Sequence, residues 1–185
     1  MSEPGRKRFP RGRDTSPDAR LVVIGLGSNT DGPGKINEAI EEISFRYDLL
    51  ARSTRYVSPP ATEGRGDECP GETTASPSAT EAEPRPYSNA AVLVRTSEPH
   101  AAIKAALGEI ERHLGRDRST PEAVAIDLDI LLIQDQIVRE GARIVVPHPD
   151  LETRRYAAIP SAEVAPFLRH SVTETRLSDL AASLA

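Results

Sequence analysis

Two aspartates, Asp127 and Asp129, lie one residue apart in an apolar run in the second half of the chain. Side chains at positions i and i+2 of a strand point to the same face, so a strand here places both carboxylates side by side with Leu128 facing away. Adjacent carboxylates repel each other, and a hard divalent ion such as Mg²⁺ relieves that repulsion because it prefers oxygen ligands. The pair predicts a magnesium site, and the alternative is one aspartate bound to an arginine beside a solvated second one.

Basic side chains follow the aspartates at Arg143, His148 and Arg154. Arginine offers forked donors to phosphate oxygens, and a histidine ring nitrogen can donate one further hydrogen bond. Together with a carboxylate-bound ion, these residues predict an enzyme that transfers a phosphorus group from a nucleotide. Taken singly, His148 is also typical of a turn, and Arg154 of a solvated helix face.

Tyr87 and Asn89 are a second pair spaced by two residues, and they open an apolar segment. An aromatic plane beside an amide suits a flat, polar heterocycle, although a buried tyrosine beside a structural asparagine has the same pattern. The tripeptide Gly27-Ser28-Asn29 is neither a P-loop nor a dinucleotide fingerprint, because the further residues that define those motifs are missing. Taken alone, the Tyr87–Asn89 pair favours the structural role, and it does not identify a ring.

Hydrophobic periodicity predicts the elements that must position these residues. A strand, a helix, two strands, a helix and a strand are predicted in that order, over residues 21–26, 33–47, 50–57, 87–96, 99–114 and 125–133. This order is the split βαβ pattern of an α+β, ferredoxin-like βαββαβ core. We expect a mostly antiparallel sheet with helices on one face, which leaves the other face free to build a site. Short strands at 136–139 and 143–146 and helices at 153–165 and 176–184 follow.

Composition divides the 185 residues into three parts. Residues 1–20 are basic and lack an apolar pattern, which predicts a disordered arm. Ser97, which precedes the second predicted helix, is the expected N-cap of that helix. Residues 58–86 contain six prolines and almost no large apolar side chain, which predicts a long flexible loop. The rest of 21–185 is expected to form one domain.

The overall charge and the single cysteine exclude several classes of protein. A net charge of −5 argues against a nucleic-acid binder, and one cysteine fits a reducing compartment. No apolar run reaches the roughly 18 residues that span a bilayer, and none follows the basic arm as a signal peptide would require. We therefore expect a cytoplasmic protein without membrane or nucleic-acid partners.

Five segments taken in order carry a family resemblance: Gly27-Ser28-Asn29, Ser58-Pro59-Pro60, Tyr87-Ser88-Asn89-Ala90-Ala91-Val92, Ile126-Asp127-Leu128-Asp129-Ile130-Leu131-Leu132 and Val146-Pro147-His148-Pro149-Asp150. They resemble the signature of the 6-hydroxymethyl-7,8-dihydropterin pyrophosphokinases of folate biosynthesis, over about 21–165. The resemblance implies a ferredoxin-like fold. It also implies transfer of diphosphate from ATP to the pterin hydroxymethyl group with release of AMP, two magnesium ions, and a monomer that acts on small molecules.

The resemblance also implies a role for individual residues. Asp127 and Asp129 match the metal ligands, and Arg116 and Arg118 are further candidates for catalysis. The implied pterin-binding residues are Tyr87, Asn89, Tyr156, Ser58, Pro59 and Ala61. The implied ATP-binding residues are Glu111, Arg143, His148 and Arg154. No side chain is a convincing general base, and Asp129 or a metal-bound water is the hypothesis for that role.

The chain departs from the family pattern just before the aspartates. Residues 116–125 form a shorter loop than the family's, the chain has no tryptophan, and Val124 stands where an arginine is expected. This departure keeps two alternatives open: a catalytically weakened paralogue that binds a pterin or nucleotide or acts on a different pterin, and a regulatory domain without small-molecule chemistry.

Overall fold

The computed structural model describes residues 13–30, 32–59, 85–117, 119 and 123–185. The strands are β1 (Arg20–Ser28), β2 (Asp48–Arg52), β3 (Tyr56–Ser58), β4 (Tyr87–Thr96), β5 (Asp127–Ile133), β6 (Val138–Glu140) and β7 (Arg143–Val146). The helices are α1 (Gly32–Arg46), α2 (His100–His113), α3 (Asp150–Thr153), α4 (Arg155–Val164) and α5 (Leu177–Ser183).

The main sheet has the strand order β2-β4-β1-β5, and β3 also pairs with β4. Every strand pairing described in it is antiparallel. With α1 between β1 and β2 and α2 between β4 and β5, this is the expected βαββαβ arrangement, and the prediction of an α+β, ferredoxin-like core is confirmed. The strands β6 and β7 form a separate hairpin.

Both long helices follow from the spacing of their apolar residues. The buried positions of α1 are Ile36, Ala39, Ile40 and Ile43, and those of α2 include Ile103, Ala106, Leu107 and Ile110. Residues three and four apart share one helix face, so each helix has a single apolar side for the sheet. Gly115, which has a positive φ of 90°, follows α2 as predicted.

Helices cover both faces of the sheet. One apolar core lies between α1, α2 and the face that carries Val22 and Ile24, whereas a second lies between α3, α4, α5 and the face that carries Val23 and Leu131. The prediction of helices on one face is confirmed for α1 and α2, but the expectation that the other face stays free is wrong. The C-terminal helices fill it because Leu151, Ala157 and Leu177 bury their side chains there.

Several predicted boundaries differ from the structure. The strand expected at 50–57 is two strands, because Ser53 interrupts it by accepting the Ala91 amide on its hydroxyl. Ser97 does not cap α2: Pro99 is the N-cap residue, and the Ser97 amide donates to Asp14 Oδ2 instead. That contact also corrects the predicted arm, since residues 13–20 form a turn and the start of β1. Residues 1–12 and most of the 58–86 loop lie outside the described residues.

Within the part of the chain that the structure describes, no helix is both long enough and apolar enough to cross a membrane.

Candidate active site

The two aspartates lie on β5, the edge strand of the sheet, directly opposite two glycines of β1. Asp127 pairs with Gly27 and Asp129 with Gly25, so all four residues share one sheet face. A Cβ at Gly25 would lie 2.9 Å from a methyl group of Leu131, which excludes a side chain there. The Leu131 side chain therefore packs over Gly25, and the open space beside the carboxylates is a cleft that Asp127 and Asp129 line.

The two aspartates repel each other, and the described cations near them offset this only in part. Desolvation and the neighbouring Asp127 carboxylate raise the pKa of Asp129, and His148 and Lys104 oppose this only in part. Asp129 is nevertheless open to the cleft. Oxygen-only donors with excess negative charge fit a magnesium ion. The described residues contain no group of three or more acidic, histidine or cysteine side chains, so water and substrate phosphates would complete the shell of such an ion.

A cleft of about 290 Å³ opens beside the aspartates, between α2, β5 and the β6–β7 hairpin. Three predicted ATP-binding residues, Glu111, Arg143 and His148, line it. His100 and Lys104, which the sequence reading missed, also line it, and Lys104 forms a 2.8 Å salt bridge with Glu140 on the hairpin. Their helical spacing of four residues is the signal that could have placed them on the cleft side of α2. The cleft thus joins a carboxylate pair to several cationic groups.

Glu111 and His148 hold the outer edge of β5. The Leu128 amide, between the two aspartates, donates to Glu111 Oε1 at 2.8 Å, and Glu111 is buried. Three residues further along, the His148 amide donates to the Leu131 carbonyl at 2.8 Å. The His148 ring also accepts the Asp150 amide on Nδ1 at 3.3 Å. Glu111 therefore lies near the predicted nucleotide position, but its observed contact is with the strand that carries the metal ligands.

Arg116 follows α2 and reaches towards the aspartates. Its Nη2 lies 3.8 Å from Asp127 Oδ1, and its amide donates to the Glu111 carbonyl. The Nε and Nη1 atoms are buried and have no hydrogen-bond partner among the described residues. Buried guanidinium donors nearly always have partners, so this arrangement is suited to an anionic ligand. Arg118, the second arginine expected here, lies outside the described residues.

The other end of the shortened loop is fixed by Ser28 and Asn29. The Val124 backbone amide donates to the Asn29 side-chain oxygen Oδ1 at 2.7 Å, and the Asn29 backbone amide donates to the Val124 carbonyl at 3.0 Å. The Ser28 hydroxyl donates to the same carbonyl. The Gly27-Ser28-Asn29 motif, to which the sequence reading assigned no role, anchors the chain three residues before Asp127.

Three of the predicted pterin-binding residues, Tyr87, Asn89 and Ser58, lie together on β3 and β4. Asn89 is buried, and its Nδ2 donates to Ser58 Oγ at 2.9 Å, while Tyr87 pairs with Ser58 across the two strands. Burial and the Asp127 charge raise the pKa of Tyr87, and Arg116 lowers it. A Cβ on Gly27, the residue directly opposite Asp127, would lie 3.9 Å from Tyr87 Cδ1, so the tyrosine ring lies near Asp127 on the same face of the sheet. Pro59 is exposed, and Ala61 lies outside the described residues.

Tyr156 and Arg154 lie at the start of α4. The Tyr156 hydroxyl donates to Asp150 Oδ2 at 2.5 Å, and burial, this hydrogen bond and the Asp150 charge raise its pKa. Arg154 is the N-cap residue of α4 and does not line the cleft of the other predicted ATP-binding residues. The Tyr156 side chain is thus fixed by its hydrogen bond to Asp150, and 38% of the residue is exposed.

Comparison with known proteins gives one consistent family. A family model described as 7,8-dihydro-6-hydroxymethylpterin-pyrophosphokinase matches residues 23–166. A protein of Porphyromonas gingivalis named 2-amino-4-hydroxy-6-hydroxymethyldihydropteridine pyrophosphokinase is 29% identical over 153 residues, which cover 80% of this chain and 92% of that protein. A protein of the same name from Methylorubrum extorquens is 30% identical over 152 residues, covering 80% of this chain and 84% of the relative.

Solved structures show the same fold at lower identity. The crystal structure of wild-type Plasmodium falciparum HPPK-DHPS superimposes with a TM-score of 0.61 at 13% sequence identity, covering 90% of this chain. The chain spans about 45% of the length of that protein.

Proposed function

The chain belongs to the 7,8-dihydro-6-hydroxymethylpterin-pyrophosphokinase family, and from this premise we propose how its residues divide the reaction among them. The enzyme transfers diphosphate from ATP to 6-hydroxymethyl-7,8-dihydropterin in folate biosynthesis and releases AMP. The observation that carries the residue assignment is that Asp127 Oδ1 lies 3.8 Å from Arg116 Nη2 and that Asp127 is directly opposite Gly27, next to which the Tyr87 ring lies. The proposed metal ligands, an aromatic surface and a guanidinium group with two buried nitrogens that have no hydrogen-bond partner among the described residues are thereby adjacent.

Asp127 and Asp129 would hold magnesium, which when bound neutralises the phosphate charge and aligns the reacting groups. Arg116 contributes two buried donors that have no hydrogen-bond partner among the described residues, and these suit the phosphoryl group being transferred. Arg118 stays a further candidate. Since the loop that contains these arginines lacks a tryptophan, positioning by Arg116 matters more here than closure by an aromatic side chain.

The pterin half of the site consists of Tyr87, Asn89, Ser58 and Tyr156, with Pro59 and Ala61 as further candidates. A stacked aromatic group combined with an amide at the ring edge gives both affinity and orientation. The buried Asn89 amide is held by Ser58, so its direction is fixed before the ring arrives. We propose that the hydroxymethyl group of the pterin then points towards the aspartates.

The cleft beside β5 would take the nucleotide. Arg143 and His148 face it and are proposed to bind the phosphates, while Glu111 keeps β5 in place; a phosphate contact by Arg154 stays a prediction. In the reaction, the hydroxymethyl oxygen attacks the β-phosphorus of ATP, and the bond from that phosphorus to the oxygen bridging to the α-phosphate breaks. AMP leaves with that oxygen, and the hydroxyl proton is released.

AMP release tests this assignment. Purified protein with ATP, magnesium and 6-hydroxymethyl-7,8-dihydropterin is expected to produce AMP and the pterin diphosphate in equal amounts. Chromatography measures both products. AMP formation without added pterin measures the background. Failure to exceed that background while both ligands bind in calorimetry would support the weakened paralogue, and failure to bind either would support a regulatory domain.

Tyr87→Ala is expected to separate the two substrates. The variant loses the stacking surface, so we expect the dissociation constant for the pterin to rise roughly 10- to 100-fold, since base–aromatic stacking is worth about 1–3 kcal/mol. The constant for an ATP analogue should change less than about threefold. Calorimetric titration with each ligand separately measures the two dissociation constants. Equal losses for the two ligands would contradict the stacking role.

Three expectations stay predictions: two magnesium ions rather than one, a monomer, and a cytoplasmic location. The number of ions can be counted by the dependence of the rate on magnesium concentration at fixed ATP. Sedimentation would give the oligomeric state.

A further inference from the structure

The strand β3 carries Ser58 into the pterin site with little support from the sheet. It contains three residues, pairs only with β4 among the described strands, and leaves Val57 71% exposed. Burial of apolar surface therefore contributes little to holding it in place. Because Ser58 fixes the Asn89 amide, any displacement of β3 would also turn the group that contacts the pterin edge.

Glu163, near the end of α4, holds the residues just before Ser58. Its Oε1 accepts the Thr54 amide at 2.8 Å, and its Oε2 accepts the Thr54 hydroxyl and the Tyr56 hydroxyl, each at 2.9 Å. These donors lie more than 100 residues from Glu163 in sequence, so the carboxylate joins two distant parts of the chain. Hydrogen bonds to an ionised acceptor are stronger than neutral ones.

The same helix carries Tyr156, the second aromatic group of the pterin site. Glu163 and Tyr156 are seven residues apart, which is about two helical turns and places both on one side of α4. Tyr56 and Asn89 are directly opposite each other on β3 and β4, so Tyr56 also faces the side of the sheet that α4 covers. The helix α4 thus carries both Tyr156 and the carboxylate that contacts Thr54 and Tyr56.

We propose that Glu163 is a positioning residue for the pterin, because its carboxylate fixes β3 relative to α4 and thereby sets the Ser58–Asn89 hydrogen bond opposite Tyr156. The inference rests on the proposed pterin site. Glu163 is exposed, with its carboxylate turned to Thr54 and Tyr56. Its effect reaches the ring only through the residues that it holds.

This role predicts selectivity between the two substrates. The nucleotide cleft is lined by α2, β5, the β6–β7 hairpin and the segment that follows it, and none of its lining residues accepts or donates a hydrogen bond to Glu163 among the described contacts. Glu163→Gln keeps the size of the side chain but removes the charge that three donors share. We expect KM for the pterin to rise roughly 5- to 20-fold, while KM for ATP and kcat at saturating pterin change less than about twofold.

Three further variants test the mechanism of this effect. Tyr56→Phe removes one of the three hydrogen bonds and should raise the pterin KM by a smaller factor. In a Glu163→Ala background the same Tyr56→Phe change should have no further effect, since the acceptor is already gone. Glu41→Gln, at an exposed position of α1 on the opposite face of the sheet, is the matched control and should leave both KM values unchanged.

The outcomes are separable. A wild type that produces no AMP overturns the proposed function itself. An active wild type with a Glu163→Gln variant of unchanged pterin KM, or with equal increases for pterin and ATP, overturns the positioning role alone. Calorimetric binding of the pterin and of an ATP analogue to the folded variants gives the same comparison without turnover, and thermal melting identifies any variant that fails to fold.

Discussion

Replacing Asp129 with asparagine is expected to lower kcat/KM by about 1,000-fold or more, because several kcal/mol of charge stabilisation depend on the ion that it would hold. Asparagine has the same size and keeps the backbone of β5 unchanged, so the loss would reflect the missing charge. Asp127→Asn should have an effect of similar size, since both carboxylates face the same side of the strand. AMP release measured over a range of magnesium concentrations would show a weakened dependence on the ion.

The same substitution should stabilise the protein when no magnesium is present. The pKa of Asp129 is raised by desolvation and by Asp127, so its ionised form costs stability in the folded state at neutral pH. The asparagine side chain of the Asp129→Asn variant carries no charge, and the melting temperature without magnesium should therefore rise. A variant that lost activity because it unfolds would have a lower melting temperature. Loss of activity with a higher melting temperature therefore excludes that explanation.

Asp135→Asn is the matched control for both measurements. Asp135 lies in the turn after β5, is exposed and has a positive φ of 55°, a conformation that asparagine also adopts readily. The Asp135→Asn variant should have the same kcat/KM and the same dependence on magnesium as the wild type. An Asp129→Asn variant that keeps more than a tenth of wild-type activity at all magnesium concentrations would refute the metal assignment.

Arg116→Ala is expected to lower kcat by about 100- to 1,000-fold, the usual effect of removing one donor to a transition state. Two of its guanidinium nitrogens are buried and have no hydrogen-bond partner in the part of the chain that the structure describes, so they cost free energy until an anion arrives. The substitution should therefore leave the melting temperature unchanged or slightly higher. Single-turnover measurements at saturating substrates would isolate the chemical step.

Arg112→Ala and Arg116→Lys are the comparisons for this arginine. Arg112 is exposed in the last turn of α2, four residues earlier, and its loss should not change kcat. Arg116→Lys keeps the charge but not the forked donors, and an intermediate rate is expected. A kcat for Arg116→Ala within threefold of wild type would show that the buried guanidinium group does not act on the phosphates.

The topology and the pairing of the aspartates could be predicted because both depend on local periodicity. Alternating and helical spacings identify strands and helices, and positions 127 and 129 must share a face in any strand. The helices predicted at 153–165 and 176–184 correspond to α4 and α5, but their spacing did not show which face of the sheet they cover. The four-residue α3 was missed because it is too short to show a helical pattern. Short, interrupted helices owe their stability to tertiary packing, which spacing does not reveal.

Contacts between distant residues could not be predicted in the same way. Glu111 has the spacing of an ordinary helix residue, and only the fold brings its carboxylate to the Leu128 amide. The Ser97 prediction failed because α2 begins later than expected, with Pro99 as its N-cap residue. The bond from the Ser97 amide to Asp14, 83 positions away, has no local signature either. The hydrogen bond from the Tyr56 hydroxyl to Glu163 likewise has no local sequence signature.

The contacts of Glu111 and His148 along the outside of β5 have a consequence for solubility. The outermost strand of a sheet presents free amide and carbonyl groups to which another polypeptide can add, and this is a common route to aggregation. Here the Leu128 amide and the Leu131 carbonyl are already occupied by residues of the same chain. The side chain and backbone group that steady the strand bearing Asp127 and Asp129 thereby also protect it from intermolecular strand addition.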